Sequence, residues 1–394
     1  MQNPQVHEAD LALEQNLGHG TTLAITYMAS FGRELPTAID TNLNLNNTAN
    51  ATFTVGASNA AAPPASYPIS ASGEPSGIGS SYSAYPQPAQ NGSYVTLPHG
   101  GANLPLNQGQ TYTTKVFLAG SGGANTRLNP AFYQILDVKS SVNSSYNALA
   151  AQLNHRYSHG LSIMANYTWS HAMDGNPYES TVVPSYTALD PTNPRADVGN
   201  SNTNVPNRFV LAGVYQPQTN FRGFKDYLLG GWRISPLFQA QNGLPYTPYV
   251  SGHPADVTVA DGVAGCTTAA GCSEPLAYTS LNGSGSSADR LPWIERNTYK
   301  QPSTFVFDMR LGKNFYFNAD RFKLGRLRFE VFAELFNVMN HQNITGVSSD
   351  AYSLSTSSTT LTPYTTPQFG SFTNANSNYT YSPRQLQLAA RLHF

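Results

Sequence analysis

Charged residues are scarce in this chain. Asp, Glu, Lys and Arg make up 11% of its 394 residues, less than half the share of about 25% usual in a soluble domain. So low a charge density points either to disorder or to a surface that does not face water alone. Disordered chains are poor in aromatics, whereas this one holds 23 tyrosines, 19 phenylalanines and 3 tryptophans. The formal net charge of -1 provides no electrostatic attraction to nucleic acid, so no nucleic-acid partner is expected.

Long apolar runs are missing as well. No stretch approaches the ~18 consecutive apolar residues of a membrane-spanning helix, and the mean hydropathy is -0.33. A β-barrel is not excluded, because strands that alternate lipid-facing and lumen-facing residues average to a neutral hydropathy. The sequence opens Met1-Gln2-Asn3-Pro4, without the basic start and apolar core of a signal peptide.

Catalytic and metal-binding motifs are equally sparse. The nine histidines, among them His7, His19, His155, His159, His171, His253 and His341, are scattered without metal-motif spacing. There is no Gly-x-Ser-x-Gly elbow and no phosphate loop at a strand–helix junction. The chain is therefore expected not to be an enzyme and to need no cofactor and no metal. Asp197, Asp261 and Asp289 lie in loop-like segments, but no alternating set of calcium ligands surrounds them. Cysteine occurs twice, as Cys266 and Cys272. In an oxidising compartment the pair would close a small disulfide loop; free thiols are the alternative.

What the chain does have is a two-residue period. Leu386, Leu388, Ala390, Leu392 and Phe394 share one face, opposed to Gln385, Gln387, Arg391 and His393. Leu327, Phe329, Val331, Ala333 and Leu335 oppose Arg328, Glu330 and Glu334. A helix would scatter both sets around its circumference, so these segments are strands. The same alternation recurs around Leu11, Ile25, Ala151, Tyr167, Leu211, Phe238 and Phe307. That makes about nine strands, each near the 9–11 residues that a tilted membrane strand needs.

Connections alternate in length. Gly18-His19-Gly20 and Ser158-His159-Gly160 are tight turns, and the links near 218–228 and 313–325 are also short. Long segments rich in Ser, Thr, Asn, Gly and Pro occupy about 32–140, 172–206, 243–302 and 339–382. Compact soluble domains rarely carry several such loops, whereas outer-membrane barrels join short periplasmic turns to long extracellular loops. The segment from Gly18 to Tyr27 also parallels that from Ser158 to Tyr167, a weak hairpin repeat. The expected fold is all-β: an antiparallel transmembrane β-barrel segment of about nine strands.

Each apolar strand face needs a partner, and lipid fits best. The opposite faces carry charge at mid-strand (Asp308, Arg310, Glu330, Glu334), which suits a wet lumen, and Tyr167, Trp169 and Trp232 fit an aromatic girdle. At this point the sequence resembles a known family, the C-terminal barrel region of Oar-like TonB-dependent receptors, often found with an N-terminal carboxypeptidase-regulatory-like domain. The resemblance rests on ordered blocks across most of the chain. They include Tyr146-Asn147-Ala148-Leu149, Tyr167-Thr168-Trp169-Ser170, Pro206-Asn207-Arg208-Phe209 and Gly230-Gly231-Trp232-Arg233. Gly243-Leu244-Pro245-Tyr246, Glu334-Leu335-Phe336-Asn337 and the terminal Arg391-Leu392-His393-Phe394 complete the set.

That resemblance implies a receptor of the bacterial outer membrane that imports a scarce solute with energy passed on by TonB. It also implies a signal peptide and a plug domain ahead of a barrel of about 22 strands, and none of these precedes the strands here. Residues 1–394 are accordingly expected to be the C-terminal part of such a barrel, a fragment not competent alone. The expected partners are outer-membrane lipid, the barrel assembly machinery, and the TonB system only through the missing plug region. An adhesive or structural barrel that binds surface ligands through its long loops is the alternative.

Two sets of residues are candidates for function. Leu388, Ala390, Leu392 and Phe394 resemble the C-terminal signal by which outer-membrane proteins are recognised for assembly. Asp308, Arg310, Arg328, Glu330, Glu334 and Arg391 face the expected lumen, where they could bind solute or pair across neighbouring strands to hold register.

Overall fold

The computed structural model describes residues 2–56, 66–69, 95–98, 104–119, 127–175, 188–219, 224–263, 266–285, 290–318, 326–364, 369–375 and 384–393. Among these residues nine long strands form one antiparallel meander. In chain order they are β1 (Gln5–Gly18), β2 (Thr21–Asp40), β3 (Leu136–Ser158), β4 (Leu161–Asp174) and β5 (Asn207–Tyr215). β6 (Trp232–Gln241), β7 (Thr304–Asn318), β8 (Arg326–Phe336) and β9 (Gln385–His393) complete the path. Each strand pairs with the next in sequence, so the all-β architecture and the nine alternating segments are as expected.

The tight turns explain the hairpin repeat. His19 and Gly20 join β1 to β2 with φ of 51° and 76°, and His159 and Gly160 join β3 to β4 with φ of 51° and 84°. Two successive residues at positive φ give a turn whose twist matches that of the flanking strands. Gly160 is needed twice over, since a Cβ there would lie 2.1 Å from the Gln216 carbonyl oxygen.

Register carries one face unbroken across the sheet. A single row runs from Leu13 and Ile25 through Ala151, Tyr167, Phe209 and Ala240 to Phe305. At the other edge Phe329 faces Leu392, Val331 faces Ala390, Ala333 faces Leu388 and Leu335 faces Leu386. This apolar face is the exposed one: Leu388 is 71% exposed, Leu11 65% and Trp169 50%. On the opposite face Glu330 and Phe332 are 7% and 8% exposed. A protein folded for water would reverse this, hiding leucine and leaving glutamate outside. An exposed apolar belt of this extent requires lipid as its solvent.

The aromatic residues mark two levels of that belt. At the external end the Tyr27 hydroxyl donates to Asn147 at 2.8 Å, the Tyr167 hydroxyl donates to Asn207 at 2.6 Å, and Trp169 stands opposite Asn207. At the other end lie Tyr215, Trp232 and Tyr227. Asn207 and Tyr215 are separated by eight residues, about 26 Å along the strand, or roughly 20 Å of thickness at the usual tilt. The girdle expected from Tyr167, Trp169 and Trp232 is therefore two girdles.

Several boundaries differ from those expected. The connection placed at 32–140 begins only after Asp40 and ends before Leu136, because β2 and β3 stay paired through Thr37 and Lys139. Likewise β4 continues to Asp174, past the expected start of the 172–206 loop. Ladder hydrogen bonds need no apolar residues, so pairing outlasts the alternation that reveals it in sequence. The short link near 218–228 contains a helical turn, α1 (Phe224–Leu229).

The long connections fold together into a cap. Thr48–Val55, Thr111–Phe117, Tyr249–Ser251, Asp350–Ser353 and Thr360–Pro363 form a five-stranded mixed sheet drawn from three loops. Its core contains Phe53, Val116, Leu281, Leu291, Tyr352, Leu361 and Phe369, all buried. Cys266 and Cys272 are disulfide-bonded across a Cα–Cα distance of 5.6 Å. Phe394 and Asp289 lie outside the described residues.

Candidate functional site

Strand alternation and register assemble the charged residues of the polar face on β7, β8 and β9. Arg310 stands opposite Glu334, Glu330 opposite Arg391, and Arg328 opposite His393. The Arg310 guanidinium forks between two carboxylates, 3.5 Å from Glu330 and 3.7 Å from Glu334. His393 approaches the other oxygen of Glu330 at 3.7 Å. Between these charges lies Phe332, its ring 3.8 Å from the centre of the Arg310 guanidinium and 6.0 Å from that of Arg391. A guanidinium over an aromatic face gains attraction from the ring quadrupole, and more so where water is excluded.

The expected lumenal residues thus divide. Arg310, Glu330 and Glu334 form an ion-pair network that ties β7 to β8, and Arg391 from β9 joins it through the Phe332 ring. Asp308 stands apart: its carboxylate accepts the Asn337 backbone N–H at 2.7 Å and holds the turn after β8. Arg328 makes no ion pair among the described residues. Phe332 escaped the sequence reading because it breaks the alternation, an aromatic among polar neighbours.

Of the residues expected to form an assembly signal, Leu388 and Leu392 are well exposed on the apolar face of β9, where Ala390 also lies. A lysine shares that face. Lys313 stands opposite Trp232, its ammonium donating to the carbonyls of Leu228 (3.2 Å) and Gly230 and lying 5.1 Å from the Trp232 ring. The carbonyl end of α1 thereby satisfies a charge that would otherwise be costly there.

Buried arginines join the cap to the strands. Arg127 pairs with Asp40 at the end of β2 (3.3 Å), donates to the Ala277 carbonyl, and lies 4.8 and 5.3 Å from the rings of Tyr133 and Tyr278. Arg290 pairs with Asp197 (3.3 Å), and Arg296 pairs with Asp174 and donates to the Asp197 carbonyl at 3.0 Å. Asp197, one of the loop carboxylates considered for calcium, is thus engaged by a guanidinium, while Asp261 is exposed. The one available sequence signal was charge itself: arginine is rare within these Ser- and Gly-rich loops.

The cap also perturbs its own titratable groups. Burial, aided by neighbouring Tyr299, pushes Tyr246 up to about 12. Burial raises Tyr352 to about 12 as well, and its hydroxyl both accepts the Leu106 N–H (3.0 Å) and donates to the Leu106 carbonyl (3.1 Å). Both phenols stay neutral at physiological pH and serve as packing groups, Tyr246 against the rings of Tyr299 and Phe369 and Tyr352 through its hydrogen bonds to Leu106.

A family-level match agrees with this geometry. The family model described as outer membrane beta barrel domain matches residues 1–387. Among solved structures, the chain is similar to the outer membrane transporter YddB from Escherichia coli, with 8% identity and a TM-score of 0.38. That similarity covers 99% of this chain and 32% of the other, so the chain spans about a third of that structure's length. No curated protein matches it. With leucine and tryptophan turned outward on a continuous sheet and a family model spanning nearly all of it, the chain belongs to the outer membrane beta barrel domain family and resides in the bacterial outer membrane.

Proposed function

We propose that this chain is the C-terminal wall of an Oar-like, TonB-dependent receptor that takes up a solute across the outer membrane. The observation that supports it is the unclosed meander: β1 and β9 each have one neighbour among the described residues and do not pair with each other. Lipid does not tolerate an unpaired strand edge, so further strands of the same receptor would close the wall. The role is binding and passage rather than catalysis. Strand β9 would engage the barrel assembly machinery through Leu388, Ala390, Leu392 and Phe394, and contact with TonB would fall to a plug outside these residues.

Purifying the native polypeptide with an antibody against the 32–140 segment tests this. It should run well above the 42.5 kDa of the present chain and be retained by the immobilised periplasmic domain of TonB. A polypeptide of this chain's own mass with no retention would refute the proposal. The folded cap supports a second role, surface adhesion, because its buried core gives the external face a fixed shape. Binding of cells to a surface that persists when TonB is deleted would favour that reading.

A further inference from the structure

Neither the charged face nor the cap core accounts for a cavity of about 420 Å³ at the external ends of β2, β3 and β4. Its floor includes Phe31, Ser145 and Met173, which stand opposite one another in the register. These residues continue the apolar face. Tyr27, Leu149 and Trp169 occupy the same face four residues nearer the membrane centre. Tyr and Trp side chains of a girdle mark where acyl chains give way to headgroups. Four further residues add about 13 Å along a tilted strand, which sets the cavity at headgroup level.

Its charge fits that level. Arg33 lines it from β2, its guanidinium 5.5 Å from the Phe31 ring and donating to the carbonyls of Gly32 (3.1 Å) and Ser144 (3.4 Å). Arg195 lines it from the 3-10 turn Pro194–Asp197, and both arginines are exposed. The carboxylate in the lining, Asp174, is already paired with Arg296. The cavity therefore presents two cations above an apolar floor, and its volume is within the range of small-molecule sites.

The geometry points to a binding site for a net-anionic phospholipid headgroup of the outer leaflet. Arg33 and Arg195 hold the phosphate, for which planar guanidinium donors are well suited, and Phe31 and Met173 receive the first carbons of the lipid tail. Continuity with the lipid-facing belt commits the site to a lipid rather than to a free anion, which would gain nothing from the apolar floor.

Native mass spectrometry of the full receptor polypeptide, released from detergent with added lipid, tests this. Phosphatidylglycerol, phosphatidylcholine and inorganic phosphate are the probes. One tightly held phosphatidylglycerol is expected, favoured over phosphatidylcholine by about thirtyfold, the scale set by two arginines at an anionic surface. The preference should vanish in the Arg33→Gln/Arg195→Gln double variant and survive in Arg33→Lys/Arg195→Lys, with heat-modifiable migration confirming that both fold. Arg208→Gln, on the polar face of β5, should leave it unchanged. Equal retention of the two lipids, or displacement of phosphatidylglycerol by millimolar phosphate, would overturn the assignment.

Discussion

Placing a charge on either side of the sheet separates lipid from lumen. Leu211 lies midway along β5, between Ala165 on β4 and Phe238 on β6, and four residues from both Asn207 and Tyr215 at the girdles. An arginine there meets hydrocarbon at the bilayer midplane, where barrel strands lose about 2–4 kcal/mol. The folding equilibrium should fall about 30- to 700-fold. Tyr215→Arg, at the girdle, should cost only about 0–1 kcal/mol from its charge, because the side chain reaches interfacial water. Gln152→Arg lies at nearly the same depth as Leu211 but on the polar face, between Ala24 and Asn166, and should also cost less than about 1 kcal/mol. Urea titration of the polypeptide in phosphatidylcholine vesicles, read as the heat-modifiable folded band, gives all three values. A Gln152→Arg penalty equal to that of Leu211→Arg would refute the assignment of faces.

Other consequences follow from individual contacts. Tyr352→Phe removes the partner of both the Leu106 N–H and carbonyl and should destabilise the cap by about 1–3 kcal/mol; unchanged hydrogen exchange at Leu106 would contradict this. Gly20→Ala meets nothing nearer than 3.8 Å and should cost about 1–2 kcal/mol through its positive φ alone. Gly160→Ala adds the 2.1 Å clash with Gln216 and should cost at least about 1 kcal/mol more; equal losses in vesicle folding would exclude that clash. His341 stacks on Phe305 with ring centres 3.6 Å apart, and burial lowers its pKa below 6.5. The neutral ring is thus favoured in the fold, so its stability contribution is present above pH 6.5 and lost as pH falls through the lowered value. His341→Gln should flatten the stability profile over that window, and an unchanged profile would exclude the effect.

The arginine network shows how far sequence could reach. Glu330, Glu334 and Arg310 were legible as residues of the polar face because each lies in an alternating strand, where a neighbour's polarity reveals its face. That Arg310 bridges both glutamates depends on the relative register of β7 and β8, a non-local choice. Phe332 and Lys313 were missed because each contradicts the polarity of its own face. Their tolerance comes from partners on other elements, Arg310 for one and the carbonyl end of α1 for the other.

Strand content, face polarity and the need for lipid were all determined by the sequence alone. A two-residue period is a local property, and an apolar face has to be covered by something. The cap was decided only by tertiary structure. Leu106 meets Tyr352 across 246 positions and Arg127 meets Ala277 across 150. Ser- and Gly-rich loops carry no repeating pattern that could announce such partners. Their core forms only when the strand ends bring separate connections to the same rim, and packing there, not local propensity, selects the fold.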